Sequence, residues 1–182
     1  IENANDDADT NPDCPGVGAY GDDTIELTVD VALDTVAATS NGANGLPVIA
    51  DALEIQGNGF AIERASGAPK FRIMKTDADL TIRNTTIGGG DTGFSGGAVL
   101  VADGGELVVI ESTLSGNRAR DGGAVAVDFG FIQLVDSIVS DNVADGGLGG
   151  GGLLLGGSTL FAAIDRSTVS GNVADGAAGG GI

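Results

Sequence analysis

One hexad constrains this chain more than any other feature, because it keeps coming back. Ser-x-x-Ser-x-Asn occurs at Ser112 to Asn117, at Ser137 to Asn142 and at Ser167 to Asn172. Each copy runs on as Asn-x-Ala, through Ala119, Ala144 and Ala174. Glycine pairs at Gly96-Gly97, Gly122-Gly123, Gly151-Gly152 and Gly180-Gly181 lead into small or branched apolar residues. Self-similarity of this kind marks a solenoid, in which each repeat is one turn that buries its apolar face only against its neighbours.

The strand cores supply the period. Leu53/Ile55, Leu80/Ile82, Leu107/Val109, Ile132/Leu134 and Leu160/Ala162 alternate with polar or β-branched residues, and their first members are 27, 27, 25 and 28 residues apart. Ile25/Leu27 reads as the first rung, 28 residues before Leu53. Period-two alternation is the mark of a half-buried strand. A repeat near 27 residues has room for about three short strands, each coil rising by one strand spacing of roughly 4.8 Å. The expected fold is all-β: a right-handed parallel β-helix of about six coils over residues 24–182, preceded by an acidic capping segment over 1–23 and continuing beyond the C-terminal end. The inward sites are the Leu107/Val109 strand, the Leu114 position shared by Ile87, Val139 and Val169, and the position after the glycines at Ala98, Ala124 and Leu153.

Composition agrees and narrows the function classes. Glycine is 33 of 182 residues, which disfavours helices, where each Gly costs about 1 kcal/mol relative to Ala. The 26 acids against 8 bases give a net charge of −18, a surface that repels nucleic acid and anionic membranes. There is no His, and Cys14 is the only Cys, so His-dependent catalysis and a Cys-based zinc site within the chain are excluded. No apolar run is long enough to insert in a membrane as a helix.

Three groups of residues are candidate sites. Asn117, Asn142 and Asn172, at a corner where Asn tolerates the left-handed conformation, are expected to stack and bond amide to amide along the axis, as in other stacked-strand assemblies. Asn5, Asp7, Asp9, Asn11 and Asp13 alternate like the first half of a calcium loop, without the loop glycine and closing bidentate acid; the alternative is an exposed acidic loop. Val108, Ile110, Val135 and Phe161 on one sheet, and Val99 and Val125 on the sheet after the glycines, read as apolar and outward-facing. Exposed apolar patches usually mark an interface, although β-branched residues also simply favour strands. A polysaccharide lyase or hydrolase would need carboxylates on neighbouring coils, and the outward series Glu54, Thr81, Val108, Gln133, Phe161 stacks none.

The Gly-Gly-Ala and Ser-x-Asn-x-Ala repeats resemble those of polymorphic outer-membrane-protein-type adhesins. The first part, with Gly21 to Leu27, Gly45 to Ile49, Leu53 to Gly59 and Phe71 to Ile73, resembles the CSLREA-domain family, whose opening motif Ile1 to Asn5 would continue. The resemblance implies a secreted or cell-surface parallel β-helix, and a Cys upstream of the chain that could pair with Cys14; the other reading of Cys14 is a free thiol. The expected function is therefore non-enzymatic: an extracellular structural or adhesive solenoid, a subunit of a filament or matrix, with self-association, other surface proteins or carbohydrate as partners and no cofactor beyond the candidate calcium. The alternative is a carbohydrate-active β-helix whose catalytic coils lie outside this sequence.

Overall fold

The computed structural model describes Ile1 and residues 23–176 and 179–182. Among these, every helix or strand element is a β-strand, and every pairing between strands is parallel. The chain is a parallel β-solenoid of about six coils.

Each full coil visits four stations. The first sheet begins with β1 (Asp23–Glu26), β3 (Leu53–Gln56), β6 (Leu80–Arg83) and β9 (Glu106–Ile110). The second sheet holds β2 (Val31–Leu33), β4 (Ala61–Arg64), β7 (Thr86–Gly88), β10 (Thr113–Ser115), β13 (Ile138–Ser140) and β16 (Thr168–Ser170). A short third sheet stacks β11 (Arg118–Ala119), β14 (Val143–Ala144) and β17 (Val173–Ala174). The fourth station carries β5 (Met74–Thr76) and β8 (Val99–Val101), and it fuses with the first sheet through two long bent strands, β12 (Val125–Val135) and β15 (Leu153–Asp165). Residues 125–127 of β12 pair with β8, whereas its residues 131–135 pair with β9. Coils are numbered here by their first-sheet strand, so β1, β3, β6 and β9 open coils 1 to 4. The second halves of β12 and β15 open coils 5 and 6.

Alternation explains what lies inside. Leu53, Ile55, Leu80, Ile82, Leu107, Val109, Ile132 and Leu134 line one wall of a continuous core, Ile62, Ile87, Leu114 and Val139 a second, and Met74, Val99, Val101, Val125 and Val127 a third. Each such side chain contributes about 1.5–3 kcal/mol when fully buried. Because like residues repeat along the axis, the same shape is filled in coils 2 to 5, whereas Ile164, the coil 6 counterpart of Leu134, is 43% exposed.

The register departs from the sequence expectation at both ends. Ile132 pairs with Ala162 and Leu134 with Ile164, two residues on from the expected Leu160/Ala162. The cause lies in the bent corner: β15 has 13 residues against 11 in β12, and the pairing slips between Val127 and Phe129 and between Gly130 and Phe131. At the other end Ile25 pairs with Ile55 rather than Leu53. Ala98 and Ala124 lie in one rank, but Gly152 rather than Leu153 is their neighbour, since the Ala98 N–H donates to Ala124 O and the Ala124 N–H to Gly152 O.

The glycine corner is a steric requirement. Gly96, Gly122, Gly150 and Gly179 have φ of 70, 62, 65 and 76°, and a Cβ on any of them would lie 2.2 to 2.4 Å from the carbonyl oxygen three residues on. The following residues, Gly97, Gly123 and Gly151, stack so closely that a Cβ would meet the next coil's glycine carbonyl oxygen at 2.4, 2.1 and 2.3 Å. In the last two coils the pairs are thus Gly150-Gly151 and Gly179-Gly180, one residue before those expected.

Candidate interaction surface

Two polar ladders run inside the wall of the solenoid, one at each end of the second-sheet strands. Asn117, Asn142 and Asn172 lie one above another. Asn117 Nδ2 donates to Asn142 Oδ1 at 3.0 Å, and Asn142 Nδ2 to Asn172 Oδ1 at 2.9 Å. Each acceptor oxygen also takes the backbone N–H of the asparagine one coil before, at 2.9 and 3.0 Å. The amides donate as well to carbonyls of the second sheet, Asn142 Nδ2 to Leu114 O and Ser140 O, both at 2.9 Å. Asn117 and Asn142 are buried, and a buried polar group needs its partners. The asparagines themselves are not left-handed; that conformation falls on the residue before each, Gly116, Asp141 and Gly171, with φ of 64, 57 and 66°.

The sequence reading missed the second ladder. The first serine of the hexad does at the opposite end of each second-sheet strand what the asparagine does at this one. The backbone N–H of Thr85 donates to Ser112 Oγ at 3.2 Å, that of Ser112 to Ser137 Oγ at 3.2 Å, and that of Ser137 to Ser167 Oγ at 3.0 Å. Again a left-handed residue precedes each rung: Asn84, Glu111, Asp136 and Arg166, at φ of 46, 49, 50 and 45°. The signal was present in the recurrence of Ser112, Ser137 and Ser167 at one spacing from the asparagine. The second serine, Ser115, Ser140 or Ser170, lies on the other side of the strand from the buried Leu114 and Val139.

The outer first sheet divides between the two halves of the chain. In coils 1 to 3 its outward ranks are Thr24, Glu54 and Thr81, then Glu26, Gln56 and Arg83. In coils 4 to 6 the same ranks read Val108, Gln133 and Ala163, then Ile110, Val135 and Asp165, and a third rank adds Glu106, Phe131 and Phe161. Val108, Ile110, Phe131 and Val135 are half-buried and Phe161 is 51% exposed. The polar members are tied among themselves: Gln133 Nε2 donates to Glu106 Oε1 at 2.8 Å.

Val99 and Val125 do not belong to such a surface. Both are fully buried in the core. In the run Ala98-Val99-Leu100-Val101 every residue is buried, so apolarity alone did not tell the inner side from the outer. The outward partners of that station are Lys75, Leu100, Ala126 and Leu154. Lys75, Leu100 and Ala126 are nearly inaccessible, and Leu100 lies at a recess of about 280 Å³ lined also by Asn41, Arg72, Phe94 and Asp128. Arg72 clamps this region. Its guanidinium donates to Asn44 Oδ1 at 2.7 Å and to Ser95 O at 2.6 Å, and burial pushes its pKa down to about 10, opposed by Asp128.

On the charged half, Asp23, Thr24, Glu54, Asp79 and Thr81 line a shallow groove of about 360 Å³. Glu54 is ion-paired with Arg83 at 3.2 Å, and Asp79 Oδ1 accepts the Glu106 N–H at 3.2 Å. Among the described residues no three His, Cys, Asp or Glu side chains are grouped to hold a metal ion. The candidate calcium loop Asn5, Asp7, Asp9, Asn11 and Asp13, and Cys14, lie outside the described residues.

The eight basic side chains have one property in common: each has a partner within the chain. Lys70 pairs with Asp91, Lys75 with Asp77, Arg83 with Glu54, Arg118 with Asp145, Arg120 with Asp121, and Arg166 with Asp136 and Asp165. Arg64 and Arg72 donate to backbone carbonyls. What remains is a large excess of acids. No family model matches the chain, nor does any curated protein or solved structure.

Proposed function

We propose that this solenoid is a non-enzymatic extracellular structural or adhesive module, which makes its contacts through the outer first sheet of coils 4 to 6. The observation that carries this reading is the strip Val108, Ile110, Phe131, Val135 and Phe161, apolar and partly open to solvent in a chain of net charge −18. Such a strip is a poor solubility device and a good contact. The likeness of the repeats to surface adhesins supports a secreted location and rests on the repeat residues alone. The test is fractionation of cells producing the protein. The wild type should sediment with surface material, and the triple variant Val108→Thr, Ile110→Thr, Val135→Thr should be released with its melting temperature little changed. Equal retention of both would overturn the reading.

A second reading, a carbohydrate-active solenoid, is favoured by one observation: Asp23, Glu54 and Asp79 share a groove on the outer first sheet. Acid-assisted glycan cleavage needs a pair of carboxylates facing one bond. On this reading the chain releases new chain ends from a polysaccharide, and Glu54→Gln or Asp79→Asn abolishes the release. Activity undiminished in both variants would dispose of it.

A further inference from the structure

The corner between the first and second sheets of coil 3 carries a residue that neither the core nor the ladders use. Of the ten asparagines in the chain, only Asn84 has a hydroxyl residue two places on, in Asn84-Thr85-Thr86. Asn-x-Ser/Thr, with x other than Pro, is the acceptor sequence for N-linked glycans on exported chains. The ladder asparagines are followed by Arg-Ala or Val-Ala and do not fit it. Bonding separates Asn84 from them as well. Asn44, Asn58, Asn117, Asn142 and Asn172 each donate from Nδ2 to a carbonyl of the chain, whereas the exposed Asn84 amide has no hydrogen-bond partner among the described residues. Conformation does not explain the choice of residue. Glu111, Asp136 and Arg166 fill the same corner in coils 4 to 6 at φ of 49, 50 and 45°, against 46° at Asn84. The corner is also open. On its coil 2 side lie Asn58 and Gly59, both exposed; the Gly59 N–H donates to Asn84 O at 2.7 Å, and a Cβ on Gly59 would meet nothing within 4 Å.

We propose that Asn84 is an N-glycosylation site, an inference that rests on the extracellular reading given above. In the transfer the Asn84 amide nitrogen forms a bond to the anomeric carbon of an oligosaccharide carried on a lipid phosphate. The bond from that carbon to the phosphate oxygen breaks, the lipid phosphate leaves with the electron pair, and the amide gives up one proton. Thr86 is half-buried in β7, paired with Ala61 on one side and Thr113 on the other, and Thr85 Oγ1 donates to Phe60 O at 2.6 Å. The Thr86 hydroxyl that completes the acceptor sequence is therefore best presented during export, before coil 3 closes against coils 2 and 4. Once it has closed, Asn84 Nδ2 lies outside the wall, so the glycan displaces no core contact and no ladder bond. It adds bulk and solubility without charge, next to the exposed Glu111 that follows Ile110 at the same corner of coil 4.

Mass spectrometry of the protein isolated from the cells that make it naturally reads the site directly, on the intact chain and on the tryptic peptide that begins at Asn84 and ends at Arg118. The wild type should carry a mass increment of one glycan, located on Asn84. Asn84→Gln should lose the increment completely. Thr86→Val, which keeps the amide and a β-branched strand residue but removes the hydroxyl, should lose it too, whereas Thr86→Ser should keep it. The Val variant separates the acceptor chemistry from a structural role, because the fold needs no hydroxyl at Thr86 and its melting temperature should hardly change. A glycan that persists in Asn84→Gln would put the site elsewhere, and one that persists on Asn84 in Thr86→Val would overturn the acceptor sequence. A wild type that reaches the surface fraction with Asn84 unmodified would overturn the inference and leave the extracellular reading standing. A wild type that is both unmodified and absent from that fraction would remove the two together.

Discussion

Coils 1 to 3 and coils 4 to 6 are built on one backbone plan yet differ inside the wall and outside it. In the second half the corner position after the second sheet carries asparagine, so that Asn117, Asn142 and Asn172 hand one amide to the next. In the first half the same position is Gly90 in coil 3, whose N–H ends the ladder on Asn117 Oδ1 at 3.0 Å, and Ala65 in coil 2, by the pairing of β4 with β7. Outside, the first half presents Thr24, Glu54, Thr81, Glu26, Gln56 and Arg83, whereas the second sets Val108, Ile110, Phe131, Val135 and Phe161 among Glu106, Gln133, Ala163 and Asp165. The difference teaches where specificity resides. Coil-on-coil stacking rests on the alternating core in both halves; the glycine corner serves coils 3 to 6, and in coil 2 Phe71-Arg72 stands in its place. The internal ladder and the apolar exterior are additions, and both fall on the same three coils.

The severest way to break the comparison is to remove a middle rung. Asn142→Leu deletes the acceptor for two donors of Asn117 and the donor for Leu114 O. Each buried group left without a partner costs about 1–3 kcal/mol, so the loss should reach about 3–5 kcal/mol. The control in the first half is Asn84→Leu, at the exposed serine-side corner of coil 3 with φ 46°. It should cost only the strain of a left-handed leucine, about 1–2 kcal/mol. Denaturant unfolding gives the ranking, and hydrogen exchange gives the place. In Asn142→Leu, amides of residues 113–119 and 138–144 should lose protection before those of 53–56 and 80–83, since a solenoid couples nearest neighbours most strongly. A uniform loss along the chain would show that the halves do not differ in this way.

The architecture was legible in the sequence for a physical reason: stacked coils must bring like residues together, so a one-dimensional repeat reports a three-dimensional contact. The asparagine rank was legible for the same reason, and the serine rank could have been. Register failed where the chain carries no phase. Four consecutive glycines, Gly149 to Gly152, leave the corner pair undetermined by one residue. The two extra residues of β15 are hidden within a strand that bends. Sidedness failed at Val99 and Val125 because the outer side of that station is covered too, with Leu100 only 2% exposed and Ala126 fully buried. Alternation distinguishes inside from outside only where one side meets water. Where both are covered, the sequence reads apolar throughout.

The gentlest probe of the comparison is the pair at the Ser-ladder corner. Arg166 in coil 6 reaches back to Asp136 in coil 5, Nε to Oδ1 at 2.7 Å and Nη2 to Oδ2 at 2.9 Å. The hydrogen bonds from Arg166, more than its charge, hold the Asp136 carboxyl below the usual carboxylate range, and the guanidinium is raised in return. A carboxyl depressed in the folded state adds stability that is present above its unfolded pKa and is lost as pH falls through the folded value. Both groups are solvent-exposed, so screening by water leaves that contribution small. Arg166→Gln should therefore return the Asp136 titration, followed by NMR, to the ordinary range, while the melting temperature at neutral pH barely moves. Arg83→Gln, which frees Glu54 on the charged half, should likewise leave it almost unchanged. A large loss of stability from Arg166→Gln alone would mean that ion pairs as well as the buried amides hold the second half together, and the contrast drawn between the two halves would have to be redrawn around charge.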